Sequence, residues 1–187
     1  MRITGGEARG IPLLVPPGGV VRPATDALRQ AVFSSLGGRT AGARFLDLFA
    51  GSGAYGLEAL SRGAAGGGFV EKNPGALACL RRNIAAVCKC LGRDGHDLVV
   101  RAGDATKAPP AGPGVPDLVF VDPPYGLIDD SALPLFALLA VALAPNPAAI
   151  VVFEMPGETT LAPAGWTEIK RLGRGARQPT VGFFRQN

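Results

Sequence analysis

The feature that most constrains this chain is an apolar run that ends in a carboxylate and a turn of small residues, Phe45-Leu46-Asp47-Leu48-Phe49-Ala50-Gly51-Ser52-Gly53. A near-continuous apolar stretch of strand length belongs in a sheet covered on both faces. Gly51 and Gly53 permit a turn that residues with side chains resist and let a ligand lie against the backbone. A helical pattern, Ala54 to Arg62, begins at once after the turn, as in folds that bind nucleotides.

From Arg44 onward strand-like and helix-like runs alternate, which predicts an α/β fold, a mostly parallel sheet with helices on both faces. Seven strands are expected, at Arg44 to Phe49, Gly68 to Glu71, Asp97 to Arg101, Asp117 to Asp122, Ala148 to Phe153, Thr167 to Leu172 and Thr180 to Arg185. Helices are expected at Ala54 to Arg62, Pro74 to Leu91 and Ser131 to Ala144. No helical pattern separates the last two strands, so they should close the sheet as an antiparallel hairpin.

A core domain, residues 41–187, would then follow an N-terminal extension, residues 1–40. In the extension, Arg2 to Thr4 and Ile11 to Val15 read as a small hairpin. A helix from Thr25 to Leu36 carries Ala27, Leu28, Ala31, Val32 and Leu36 on an apolar face for docking. At 187 residues, 47% apolar and 18% charged, the chain fits one packed domain without disulfides or metal. Cys79, Cys88 and Cys90 lack the spacing of a zinc site and read as reduced, structural thiols.

The net charge of +4 conceals a division along the chain. Residues 1–44 and 166–187 together hold eleven Lys or Arg against three acids, whereas the middle is net acidic. Ten of those eleven cations are arginine, whose planar fork suits phosphate oxygens, so an anionic polymer is an expected partner. Met1 to Gly10 shows no signal peptide, and the apolar stretch from Ala132 to Phe153 is cut by Pro145, Asn146 and Pro147 into pieces too short to cross a bilayer. A cytoplasmic monomer with no membrane contact is the expectation.

Two motifs carry chemistry. Gly51, Gly53 and Gly56 match a dinucleotide fingerprint, with Glu71 placed for a ribose. Asp47, however, would repel a pyrophosphate and can instead pair, directly or through water, with the ammonium of S-adenosylmethionine. Glu71 would then accept from the ribose hydroxyls, and Asp104 from the adenine amino group. Phe49, Ser52 and Ala105 stand in the same two segments and complete the expected cofactor site. Each of these acids could instead merely cap a turn, but acids after three successive strands point into one crevice.

The second motif is Asp122-Pro123-Pro124-Tyr125 after a buried strand. An exocyclic base amine is a poor nucleophile, because its lone pair is delocalised into the ring. A site that methylates it needs acceptors aimed at its hydrogens. Asp122 and the Pro123 carbonyl supply two. Pro123 and Pro124 stiffen the backbone that presents them, and Tyr125 offers a ring on which an extruded base can rest. His96, the only histidine, lies between Asp94 and Asp97 in a polar loop and reads as solvated, which disfavours hydrolases that need a histidine base.

These residues, taken with Arg2-Ile3-Thr4-Gly5-Gly6, Arg9-Gly10, Arg22-Pro23-Ala24-Thr25-Asp26, Phe33 and Gly56-Leu57-Glu58-Ala59-Leu60-Ser61-Arg62-Gly63, resemble the RsmD family of 16S ribosomal RNA guanine-N2 methyltransferases. The likeness covers nearly the whole chain, and its N-terminal motifs distinguish this family from other amine methylases. It implies the Rossmann-like class I S-adenosylmethionine-dependent fold, the N2 amine of a guanine as target, and 16S rRNA or a small-subunit assembly intermediate as partner. Cofactor and amine roles carry over to Asp47, Gly51, Gly53, Glu71, Asp104 and Asp122. Charge and placement add Arg2, Arg9, Arg22 and Arg29 as RNA contacts, although some of them could pin the extension to the core. Ala27 and Gln30 depart from the family pattern, as does Arg177-Gln178-Pro179-Thr180, where a glycine is expected. The rival readings are a DNA adenine-N6 or cytosine-N4 methyltransferase, a non-catalytic RNA-binding module on a methyltransferase core, and an NAD(P)-dependent oxidoreductase.

Overall fold

The computed structural model describes residues 1–16, 25–107, 114–173, 175 and 178–187. The element order is α1 (Asp26–Leu36), β1 (Arg44–Leu48), α2 (Ala54–Ser61), β2 (Gly66–Glu71), α3 (Pro74–Leu91), β3 (Leu98–Ala102), β4 (Leu118–Val121), α4 (Ile128–Ala142), β5 (Ile150–Pro156), β6 (Trp166–Leu172) and β7 (Pro179–Gln186). Helix starts follow local chemistry. Thr25 accepts the Leu28 N–H at the head of α1, and Asn73 accepts the Ala76 N–H ahead of Pro74 in α3.

The seven strands form one sheet in the order β3-β2-β1-β4-β5-β7-β6. All pairs from β3 through β5 are parallel, and β7 joins β5 and β6 antiparallel, so the closing hairpin read from the sequence is present. Alternating side chains feed two separate cores. Phe45, Phe69, Phe120 and Val152 meet Phe33 of α1, Leu57 and Leu60 of α2 and Leu80 of α3 on one face. Leu48, Val121 and Phe153 meet Ile128, Leu135, Phe136 and Leu139 of α4 on the other. This is the Rossmann-like architecture of class I methyltransferases.

Two expectations need correction. The N-terminal hairpin is shorter than expected, a single antiparallel bridge between Arg2 and Pro12 flanked by hydrogen bonds from the Ile3 N–H to the Ile11 carbonyl at 3.0 Å and from the Leu13 N–H to the Met1 carbonyl at 3.1 Å. Helix α4 begins at Ile128 rather than Ser131 and carries Pro134 in its interior. With the turn before it, the stretch Tyr125–Ala142 is long and apolar enough for a membrane span, but the inner face of α4 packs on the sheet.

The N-terminal segment and α1 cover α2 so fully that every residue from Ala54 to Ser61 is buried. The motifs at the two places interlock. Thr4 donates both its N–H and its hydroxyl to Glu58, at 2.8 and 2.7 Å, while Ser61 Oγ donates to the Gly5 carbonyl and accepts from the Ala8 N–H. Gly6, at φ 76°, lies so close to the Ser61 carbonyl that a Cβ would fall 1.9 Å from its oxygen.

Arg29 completes this interlock from inside. Its side chain is fully buried; Nε meets Glu58 Oε2 at 3.3 Å, and Nη2 meets Asp26 at 2.9 Å and the Arg2 carbonyl. The expected RNA contact at Arg29 is therefore replaced by an internal ion pair, since a guanidinium sealed against Glu58 presents nothing to a phosphate. Removing one partner of a buried pair leaves the other charge uncompensated. Arg29→Ala should accordingly lower unfolding free energy by about 3–5 kcal/mol, read as a fall in the urea midpoint, whereas a midpoint within error of the parent would show that Glu58 does not depend on Arg29.

Candidate active site

Strand order reverses between β1 and β4, the position at which open α/β sheets form a ligand crevice at the carboxyl ends of their strands. Leu48 of β1 is in register with Val121 of β4, and the Asp122 N–H reaches the Leu48 carbonyl at 3.4 Å. The glycine turn after β1 and the Asp122-Pro123-Pro124-Tyr125 turn after β4 thus leave the sheet side by side.

The glycine turn is held in an unusual shape. Phe49 has φ 59°, a left-handed conformation that a bulky residue adopts only under constraint. Gly51 follows at φ 55° and Gly53 at φ 84°, the latter heading α2. The two glycines serve different ends. Above Gly51 the nearest atom to a Cβ would be a carbonyl oxygen 3.9 Å away, which leaves room for a ligand, whereas at Gly53 a Cβ would strike Leu80 at 2.4 Å. Gly56 is likewise a packing glycine, pressed against the Phe45 and Phe69 rings.

Each of the three acids expected at the cofactor accepts a backbone N–H. Asp47, buried beneath the turn, accepts the Gly56 N–H at 2.8 Å. Burial pushes its pKa up to about 8; the Glu71 charge adds to the rise, and the Gly56 N–H opposes it. Glu71 reaches across to the Gly51 N–H at 2.8 Å and with its other oxygen accepts the Lys72 and Asn73 N–H groups, so it ties the loop after β2 to the glycine turn. Asp104 accepts the N–H and hydroxyl of Thr106, which hold its carboxyl below the usual carboxylate range. Ser52 is buried, with its carbonyl accepting from Asn83 Nδ2, and Ala105 packs into the core on the α4 face.

In the second turn, Asp122 is half-buried, Pro123 buried, and Tyr125 43% exposed. Burial drives the Asp122 pKa well above the usual carboxylate range, and the Glu154 and Asp47 carboxyls raise it further. A carboxyl so placed favours a partially positive nitrogen against it, because a developing cation relieves the repulsion.

Beyond this crevice, Arg2 and Arg9 are exposed on the N-terminal segment and line a cavity of about 240 Å³ with Asp26 and Gln30. Arg22 lies outside the described residues, as does Arg177. A cavity of about 350 Å³ sits at the opposite, amino-terminal ends of β1, β4 and β5, between Ala43, Leu118 and Ile150, away from both motif turns. His96 is exposed and paired with Asp94.

Sequence reasoning passed over two buried polar residues, Glu154 and Asn83. Glu154 of β5 is 3% exposed and accepts the Tyr55 hydroxyl at 3.0 Å. Its signal is a lone acid inside the apolar run from Ile150 to Met155. Asn83 of α3 exchanges hydrogen bonds with the Leu14 backbone while holding the Ser52 carbonyl, and thereby joins the N-terminal segment to the glycine turn.

Comparison with known proteins agrees with this geometry. Residues 1–181 match the model of a family described as conserved hypothetical protein 95. Ribosomal RNA small subunit methyltransferase D of Escherichia coli strain K12 is 40% identical over 134 residues, which span 70% of this chain and 64% of that relative. Its namesake in Haemophilus influenzae is 31% identical over 94% of this chain and 89% of its own length. Among solved structures, the Escherichia coli protein yhhF superposes with a TM-score of 0.74 at 32% identity, covering 100% of this chain and 97% of its own. The chain belongs to the conserved hypothetical protein 95 family, the RsmD family, to which its N-terminal and Asp-Pro-Pro-Tyr motifs pointed.

Proposed function

We propose that this protein is a ribosomal RNA methyltransferase that transfers the methyl group of S-adenosylmethionine to the N2 amine of a guanine in 16S rRNA, either free or in a small-subunit assembly intermediate. The observation that carries this reading is the pairing of β1 with β4, which sets the Phe49 to Gly53 turn beside Asp122. The relatives named for small-subunit rRNA methylation support the substrate class. Work on rRNA also fits residence in the cytoplasm.

S-adenosylmethionine suits the residues present. Gly51 leaves space over the turn, Glu71 stands at the end of β2 for the ribose hydroxyls, Asp104 after β3 for the adenine amino group, and Asp47 under the turn for the ammonium. The bound donor supplies an electrophilic sulfonium methyl. Asp122 and the Pro123 carbonyl accept the hydrogens of the amine, Tyr125 stacks on the extruded base, and the rest is alignment, which alone can account for much of the barrier. Residues 1–40 are assigned the RNA contact, through Arg2 and Arg9 on the exposed side and Arg22.

Four outcomes follow. Tritiated S-adenosylmethionine should label unmodified 16S rRNA or small subunits at one guanine N2; label in DNA alone would overturn the reading. Asp122→Ala should lower kcat about 10²- to 10³-fold while donor binding by calorimetry persists, and parental turnover would remove Asp122 from the site. Charge reversal of Arg2 and Arg9 should reduce the salt dependence of RNA binding by about 0.7–0.9 in log–log slope per lost phosphate contact, without changing donor affinity. The fourth concerns Asp47, whose pKa is raised in the folded state. Its contribution to stability is therefore complete below pH 4 and is lost as pH rises through about 8. Asp47→Asn should flatten the decline in melting temperature between pH 5 and pH 8, and an unaltered decline would place the titration elsewhere.

A further inference from the structure

Glu154 is a buried acid that none of the roles above employs. Its predecessor Phe153 is in register with Val121, so Glu154 lies next to Asp122 at the carboxyl ends of adjacent parallel strands. Both project to the sheet face occupied by Phe120 and Val152, since side chains two residues apart share a face. Tyr55 fixes Glu154 from above. The Tyr55 hydroxyl donates to Glu154 Oε2 at 3.0 Å, and its ring is stacked on Phe120 with centroids 5.3 Å apart.

The charged and titratable groups around Glu154 come from every neighbouring element. Asp47 stands on β1, Asp122 follows β4, Tyr55 and Glu58 belong to α2, and Arg29 belongs to α1, while β7 presents Val181 opposite. Arg29 is the cation of this group; it is bonded to Glu58 and Asp26, and its charge also lowers the Glu154 pKa. Asp122 faces the Glu154 charge across the paired strands.

We propose that Glu154 is a positioning residue of the methyl-transfer site: held by Tyr55, it places a second negative charge behind Asp122, so that the pair stabilises the target amine as it becomes cationic and Asp122 accepts the proton it sheds. This rests on the amine-methylation reading above. In the step itself, the nitrogen lone pair forms the new N–C bond and the C–S bond breaks with its electrons passing to sulfur, which leaves a neutral thioether. One N–H proton of the cationic product then moves to Asp122 and on to solvent. No further reactant is required.

Burial raises the Glu154 pKa to about 7, against the opposing Tyr55 hydroxyl and Arg29. Asp122, which ionises against the Glu154 charge, should thus set the acid limb of the pH–rate profile well above the usual carboxylate range. Glu154→Gln keeps an acceptor for Tyr55 and removes the charge. It should move the acid limb of kcat at least one unit lower, because Asp122 no longer ionises against a neighbouring charge, and should lower the alkaline plateau about tenfold. Affinity for S-adenosylmethionine and melting temperature should not fall. Tyr55→Phe should shift the limb the other way, to higher pH, since Glu154 without its donor holds its proton more firmly and the doubly ionised pair forms later.

An acid limb and plateau matching the parent in a folded Glu154→Gln variant would overturn the proposal. Should that variant not fold, the Tyr55→Phe profile decides, and an unshifted limb there overturns it equally. Failure of the underlying reading looks different, because the parent protein would then transfer no methyl to rRNA at any pH.

Discussion

Everything distinctive in this molecule depends on β1 lying directly against β4. That pairing is where the sheet changes direction, with β2 and β3 added on one side and β5, β7 and β6 on the other. Two turns far apart in sequence consequently emerge together, one glycine-rich and open over Gly51, the other stiffened by Pro123 and Pro124. The crevice also gathers carboxyls. Asp47, Asp122 and Glu154 come from three adjacent strands; burial raises all three pKa values, and the Glu154 and Asp47 charges add to the rise at Asp122. Such an arrangement destabilises the free protein and favours cationic guests, which suits an ammonium on one ligand and a developing positive nitrogen on another.

The N-terminal extension is part of the same construction. Its motif Thr4-Gly5-Gly6 closes over Glu58 and Ser61, and α1 drives Arg29 into the interior as the counterion of Glu58. Asn83 then links Leu14 to the glycine turn through Ser52. Residues that bring RNA to the site and residues that shape the donor loop would in this way belong to one packed unit, with Ile3, Leu13, Val32 and Phe33 sharing the core of α2 and α3.

Much of this was legible beforehand, for identifiable reasons. Strands of a parallel sheet announce themselves as apolar runs, and all seven were placed to within a few residues at each end. Helix α3 was readable at both ends, because Pro74 and Gly92 punctuate it. Errors arose where local pattern and tertiary context diverge. Arg29 was assigned to RNA by charge, although its spacing from Val32, Phe33 and Leu36 puts it on the buried stripe of α1. The left-handed Phe49 and the Tyr55 to Glu154 hydrogen bond left no trace in sequence pattern, since both arise only when distant elements are packed together.

The most direct measurement is a crystal structure of the protein with S-adenosylhomocysteine. The account predicts the ligand across the Phe49 to Gly53 turn, its ribose at Glu71 and its sulfur directed toward Asp122. A ligand seated at the amino-terminal ends of the strands, or one over the glycine turn with its sulfur facing away from Asp122, would contradict it.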